Sequence, residues 1–318
     1  MLTLHILSFV VAQLLSNQVQ SCPLACFCYG RRVHCGKKVS LTKSDLERIG
    51  QTISRNITTF VLENYNEDTI ILKSFPVLPT VKEFIIENSN LSEIPKNLYT
   101  KMPLLTFFGS RNNKINILKK EQFLGFSKLV NITIQGELKI IEGGAFSQLP
   151  NLKKLELSKN KLTVLTSRSF SNLENLEFLY LRQNHISTIQ DSAFFNLKKL
   201  TVLNLFGNKI KHISTRTFDG STKLQHLQLA GNPLKRRQEY KIIRALPFSR
   251  KGVCCTKEYV GEKCQTKIGT MSINGKSKVI IPLVGSFLAL LQRIFGNTER
   301  LRKQNDDSCF SVYFAKLL

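Results

Sequence analysis

The nine residues Leu152-Lys153-Lys154-Leu155-Glu156-Leu157-Ser158-Lys159-Asn160 decide the architecture of this chain: Leu at the first, fourth and sixth places and Asn at the ninth return every 24 residues. The pattern recurs as Leu176, Leu179, Leu181, Asn184, then as Leu200, Leu203, Leu205, Asn208, and again as Leu224, Leu227, Leu229, Asn232. More degenerate copies start at Ile57, Val81, Leu104 and Leu129, giving eight turns over residues 57–234. A second series, Phe75, Tyr99, Phe123, Phe146, Phe170, Phe194 and Phe218, keeps intervals of 23 or 24 and confirms the register independently. Self-similarity at this period is the signature of a stacked repeat architecture.

Each repeat opens with a segment of period two, so Leu155 and Leu157 face one way while Glu156 and Ser158 face the other. One 24-residue unit cannot bury its own leucines. Neighbouring units must stack, aligning their strands into a parallel sheet, and each large side chain so buried contributes roughly 1.5–3 kcal/mol. The repeated Asn is expected to turn inward at the strand's end and satisfy backbone groups left unpaired by the bend, where a bare polar group costs about 1–3 kcal/mol. The aromatic series is expected to form a stacked spine on the convex side.

These motifs resemble the leucine-rich-repeat family, in particular the 24-residue class common in extracellular proteins. The resemblance implies an α/β solenoid with a curved parallel β-sheet on the concave face, an irregular or short-helical convex side, and cysteine-stapled caps. The turns starting at Ile57, Val81 and Leu129 depart from the pattern, carrying Tyr65, Ser89 and Glu137 where Asn is expected.

Eight cysteines bracket the repeats: Cys22, Cys26, Cys28 and Cys35 before them, then Cys254, Cys255, Cys264 and Cys309 after them. The first group lacks the paired C-x2-C spacing that orients thiolates around zinc, so disulfides are favoured, and spacing alone leaves three connectivities open. By resemblance the first group is an N-terminal cap pairing Cys22 with Cys28 and Cys26 with Cys35. The apolar run over 2–15, followed by a polar stretch to Ser21, reads as a signal peptide, the alternative being a buried first strand. Sequons at Asn56, Asn90 and Asn131 fit the same compartment.

After Asn232-Pro233 a short amphipathic stretch runs into the adjacent Cys254-Cys255 pair. This arrangement resembles the hinge of leucine-rich-repeat G-protein-coupled receptors, the glycoprotein-hormone and relaxin receptor group. Residues 279–296 form an apolar segment at the short end of the ~17–25 residues that span a bilayer, with Arg300, Arg302 and Lys303 on its flank. The expected organisation is a signal peptide (1–21), a cysteine cap (22–56), eight repeats (57–234), a C-terminal hinge or cap (235–270), a short membrane span (279–296), and a basic loop leading into the start of a second membrane helix (297–318). The resemblance implies the ligand-binding ectodomain of a plasma-membrane receptor, cut short before the parts that would contact a G protein. The alternative expectation is a secreted matrix or immune recognition protein that binds proteins or sulfated glycans.

The outward strand positions are the candidate recognition surface, since a rigid sheet presents side chains from several strands at once. The preferred set is Phe178, Tyr180, Arg182, Val202, Asn204, Phe206, His226 and Gln228, in which aromatics flank an arginine as in interaction hot spots. An acidic amino end, Glu63, Glu83 and Glu87, is the other feature of that face, and the turn begun at Leu104 places Thr106, Phe108 and Ser110 outward. A protein or peptide ligand is the expected partner.

Forty-six Lys and Arg against 22 Asp and Glu give a formal charge of +24, drawing acidic partners within a screening length of ~8 Å. The basic stretch Lys235, Arg236, Arg237, Lys241 and Arg244 is the second candidate surface, with heparan-sulfate-like glycans as its acidic partner; nucleic acid is not expected. Five scattered His, with no H-x-x-x-H pair, phosphate loop or G-x-S-x-G elbow, offer no catalytic, cofactor-binding or metal-ligating constellation.

Overall fold

The computed structural model of the protein describes residues 22–53, 56–67, 70, 75–195 and 197–234, and the backbone of 253–254. The chain enters through the hairpin β1 (Cys26–Tyr29) and β2 (Arg32–Cys35), tied by disulfides Cys22–Cys28 and Cys26–Cys35. That is the pairing implied by the family resemblance. Helix α1 (Lys43–Thr52) completes the cap. Thr42 and Asp45 form a reciprocal capping box at its start, and Leu46 and Ile49 bury its inner face.

The turns then contribute β3 (Thr59–Glu63), β4 (Glu83–Glu87), β5 (Phe107–Asn113) with the lateral β6 (Ile117–Leu118), and β7 (Asn131–Gly136) with β8 (Ile140–Ile141). They continue with β9 (Lys154–Glu156), β10 (Val164–Leu165), β11 (Phe178–Tyr180), β12 (Thr188–Ile189), β13 (Val202–Asn204) and β14 (His226–Gln228). Beyond the last repeat, β15 (Val253–Cys254) pairs in parallel with β14. One eleven-stranded sheet runs β1-β2-β3-β4-β5-β7-β9-β11-β13-β14-β15 and is parallel after the opening hairpin. The opposite side carries the short pairs β6–β8 and β10–β12 and 3-10 turns at Leu98–Thr100 and Thr215–Phe218, as expected for an irregular convex side.

The leucine ladder is the core: Leu152, Leu155, Leu157, Leu176, Leu179, Leu181, Leu200, Leu203 and Leu205 are wholly buried. Each inward Asn stitches one turn to its predecessor. Asn184 Nδ2 donates to Leu157 O (2.9 Å) and Leu181 O (3.1 Å), while its Oδ1 accepts from Leu162 N (3.1 Å). Asn160, Asn208 and Asn232 repeat this arrangement. Where Ser89 replaces Asn, its shorter hydroxyl takes over only part of the work, accepting from Tyr65 N and donating to Glu87 O. The aromatic spine stacks from Phe123 through Phe146, Phe170 and Phe194 to Phe218, with centroids 5.7–6.5 Å apart. At the amino end it gives way to edge-on contacts, Phe75 packing against Phe60 and Phe84. Tyr99 passes so close to Gly125, itself at φ +87, that any Cβ there would sit 2.4 Å from the ring.

The third turn corrects the sequence register. Phe108 pairs with Phe84 and Ile132 and is 1% exposed, so the turn starts at Leu105 and the outward residues are Phe107, Gly109 and Arg111 rather than Thr106, Phe108 and Ser110. The inward amide belongs to Asn113, which donates to Ile86 O at 2.9 Å, and Asn112 is the bulged residue before it. With side chains alternating at period two, a shift of one residue exchanges the faces. The spacing of 24 from Val81 to Leu105 and from Leu105 to Leu129 carried this information.

Phe108→Ala is expected to lower unfolding free energy in urea by about 3–5 kcal/mol, whereas Phe107→Ala should cost less than about 2 kcal/mol. Equal losses would contradict this register.

Candidate functional site

Strands β9, β11, β13 and β14 are three residues each and in strict register, so their outward side chains form columns across the concave face. One column is Lys154, Phe178, Val202, His226, and the next is Glu156, Tyr180, Asn204, Gln228. Past the strand ends follow Ser158, Arg182, Phe206 and Ala230. The preferred residues are thus brought together, seven of them half-buried and His226 exposed.

Cations organise the aromatics of this face. Lys154 Nζ lies 5.2 Å from the Tyr180 ring centroid, and the Arg182 guanidinium 6.0 Å from that of Phe206. Each contact crosses to the adjacent strand, and such pairs contribute about 0.5–1 kcal/mol at exposed sites. Among the described residues no ring-to-ring pair joins Phe178, Tyr180 and Phe206. Burial, and then the Glu156 carboxylate, raise the Tyr180 hydroxyl above the ordinary phenol range. Backbone ties fix the polar members: Asn204 Oδ1 accepts from Phe206 N at 3.0 Å, and Glu156 Oε1 from Ser158 N at 2.9 Å. Lys154 and Glu156, left out of the preferred set, both act on Tyr180 and join this cluster through it.

Several outward positions are not available. Val61, Thr59, Ile85, Thr133, Ser158 and Ala230 are buried, because adjacent strands lie only about 4.8 Å apart and side chains on neighbouring strands cover one another. Over the early turns Phe107 leans across Gly109, its ring 3.1 Å from where a Cβ would stand.

Each carboxylate of the acidic amino end has a polar partner. Glu63 accepts from Asn88 Nδ2 (2.9 Å) and meets His34 Nε2 (2.8 Å), Glu87 meets Arg111 (3.4 Å), and Glu83 accepts from Thr59 (3.1 Å). His34, Glu63 and Glu87 also bring three ligand atoms within 4.8 Å of one another, a grouping invisible in sequence because 53 residues separate its ends. Asn131 stands half-buried on the concave face, Asn56 is exposed, and Asn90 donates to Asn66 O at 3.3 Å.

The basic residues Lys235, Arg236, Arg237, Lys241 and Arg244, the cysteines Cys255, Cys264 and Cys309, the stretch 1–21 read from sequence as a signal peptide and the apolar segment 279–296 lie outside the described residues. Among the described residues no helix is long and apolar enough to cross a membrane.

Comparison with known proteins agrees with the fold. The family described as leucine rich repeat matches residues 135–186 and 179–234, the turns whose pattern is cleanest. No curated protein matches in sequence. Solved structures match in fold: 333 chains do so, including TLR13 in the crystal structure of the TLR13-ssRNA13 complex, at TM-score 0.61 and 18% identity over 71% of this chain. This chain spans 35% of that neighbour's length. The repeats form a leucine-rich-repeat solenoid with a cysteine-stapled N-terminal cap, a fold whose typical use is as an interaction scaffold. That neighbour's own complex contains ssRNA13.

Tyr180 yields a titration test. Its folded pKa is raised, so the stability it confers is complete below the ordinary phenol value and declines as pH climbs through the raised one. Ultraviolet titration of the folded protein should show a late phenolate step that disappears in Tyr180→Phe and moves to lower pH in Glu156→Gln.

Proposed function

We propose that this leucine-rich-repeat solenoid is the ligand-binding ectodomain of a cell-surface receptor and recognises a protein or peptide on the carboxyl-terminal half of its concave face. The observation that carries this reading is the cation-braced aromatic group, Tyr180 under Lys154 and Phe206 beside Arg182, held half-open on a rigid sheet. Half-buried aromatics provide large contact area at low conformational cost, and aromatics together with arginine are hot-spot chemistry. Preorganisation by neighbouring strands lowers the ordering cost of binding further. The extra strand β15 extends the same face by one position, so the surface continues into the chain after the repeats.

The finer assignment is to the hormone-receptor-like group, with a signal peptide over 1–21, glycans at the sequons, disulfides among Cys254, Cys255 and Cys264, and a membrane segment over 279–296. It rests on the double cysteine and the apolar stretch after it. A soluble recognition protein of the matrix or of immunity is the second reading, and it shares the same binding face.

Two measurements test this. Photo-crosslinking from position 206 on cells expressing the full chain should capture a discrete extracellular protein that a probe at Lys128 does not, and Arg182→Ala should reduce its yield at least tenfold; identical captures from both positions would refute the concave assignment. In alkaline carbonate extraction the chain should stay in the membrane pellet, and release to the supernatant would favour the soluble reading.

A further inference from the structure

Where the strands of the first five turns run out into their loops, a groove of about 1140 Å³ opens along one flank of the solenoid. It runs from the loop after β2 to Lys159, five turns further on, which corresponds to roughly 20–25 Å at the spacing of adjacent strands. Five lysines line it: Lys37, Lys38, Lys114, Lys139 and Lys159. All five are exposed, and none forms an ion pair among the described residues. The one acidic side chain in the lining, Glu137, is already paired with Lys161. The groove is thus a strip of uncompensated positive charge, whereas elsewhere lysines pair with glutamates across turns, as Lys119 does with Glu93 and Lys198 with Glu174.

Between the lysines lie amides. Asn64, Asn88 and Asn112 occupy the left-handed region (φ 53, 49 and 53) at the same place in successive turns, a conformation that asparagine tolerates better than most residues. Asn112 donates to Asn88 at 2.8 Å and Asn88 to Glu63 at 2.9 Å, so the row is held as a ladder. Each amide retains a capacity to donate or accept beyond those bonds. Asn90 and Asn116 add two more, and Asn90 Nδ2 is held against the neighbouring turn by its bond to Asn66 O.

Neutral amides that hydrogen-bond hydroxyls, interleaved with cations that meet fixed anions, suit a chain of sulfated sugars. They suit single-stranded nucleic acid poorly, because that class is held by stacking bases on aromatic rings. The groove's one aromatic, Tyr65, is 1% exposed. We propose that this flank groove is a binding site for sulfated glycans, separate from the concave recognition face and independent of the basic stretch after the repeats.

The test uses the full chain, a heparin dodecasaccharide as probe, and the triple variant Lys114→Gln, Lys139→Gln, Lys159→Gln. Wild type should bind the dodecasaccharide in a salt-sensitive manner, and the triple variant should bind at least tenfold more weakly with unchanged thermal unfolding. Neutralising Lys235, Arg236 and Arg237 together should change the affinity less than threefold, and an unsulfated hyaluronan fragment of equal length should compete poorly. Absence of heparin binding, wild-type affinity in the triple variant, or loss of binding only in the 235–237 variant would each overturn the site. Equal competition by hyaluronan or by an RNA dodecamer would overturn the assignment to sulfated sugar. None of these outcomes bears on crosslinking from position 206, so the two readings stand or fall separately.

Discussion

Everything in this molecule depends on lateral closure: the interior of one turn is dry only because the next turn lies against it. A leucine such as Leu179 is buried between Leu155 and Leu203 at the same register position on the adjoining strands, and no contact within its own turn could replace them. The same constraint applies to the backbone. The bend after each strand leaves amides and carbonyls that water cannot reach, and the inward Asn answers them by bonding to its own turn and to the preceding one. Apolar burial and polar satisfaction therefore enforce one stacking, and the disulfide-tied hairpin with α1 closes the amino end.

Stacking also decides what the surface can offer. Residues 24 apart in sequence become neighbours, so the side chains of a concave column touch across strands instead of standing alone in water. Short ones, Val61, Thr133 and Ser158, vanish beneath their neighbours. Long and aromatic ones remain half-open and are braced by charge, as in the Lys154–Tyr180 and Arg182–Phe206 contacts. On the flank the same period aligns left-handed asparagines and lysines that form no ion pair among the described residues into a continuous groove, although Lys37 and Lys159 lie 122 residues apart. Distinct surfaces with distinct chemistries thus arise from one repeating unit.

Most of the fold was legible in the sequence because two periodic series agreed. The clean turns from Leu152 onward fixed inward and outward residues, and the preferred concave residues emerge side by side as that pattern implies. The third turn was not legible in the same way. Leu104-Leu105 and Phe107-Phe108 each offer two equivalent starts, and local sequence has no preference between them. Cross-strand packing chooses: Phe108 fits between Phe84 and Ile132, which sends Phe107 outward across Gly109.

The amino-acid order alone determined the number of turns, the solenoid, and the face on which each regular strand presents its side chains, because these follow from the period of apolar residues. Tertiary structure alone decided which outward residues stay accessible, which partners Glu63 and Glu87 meet, and where, among the described residues, lysines stand without a counter-charge. Those properties belong to pairs and rows of residues on different turns, and such neighbours exist only once the turns have stacked.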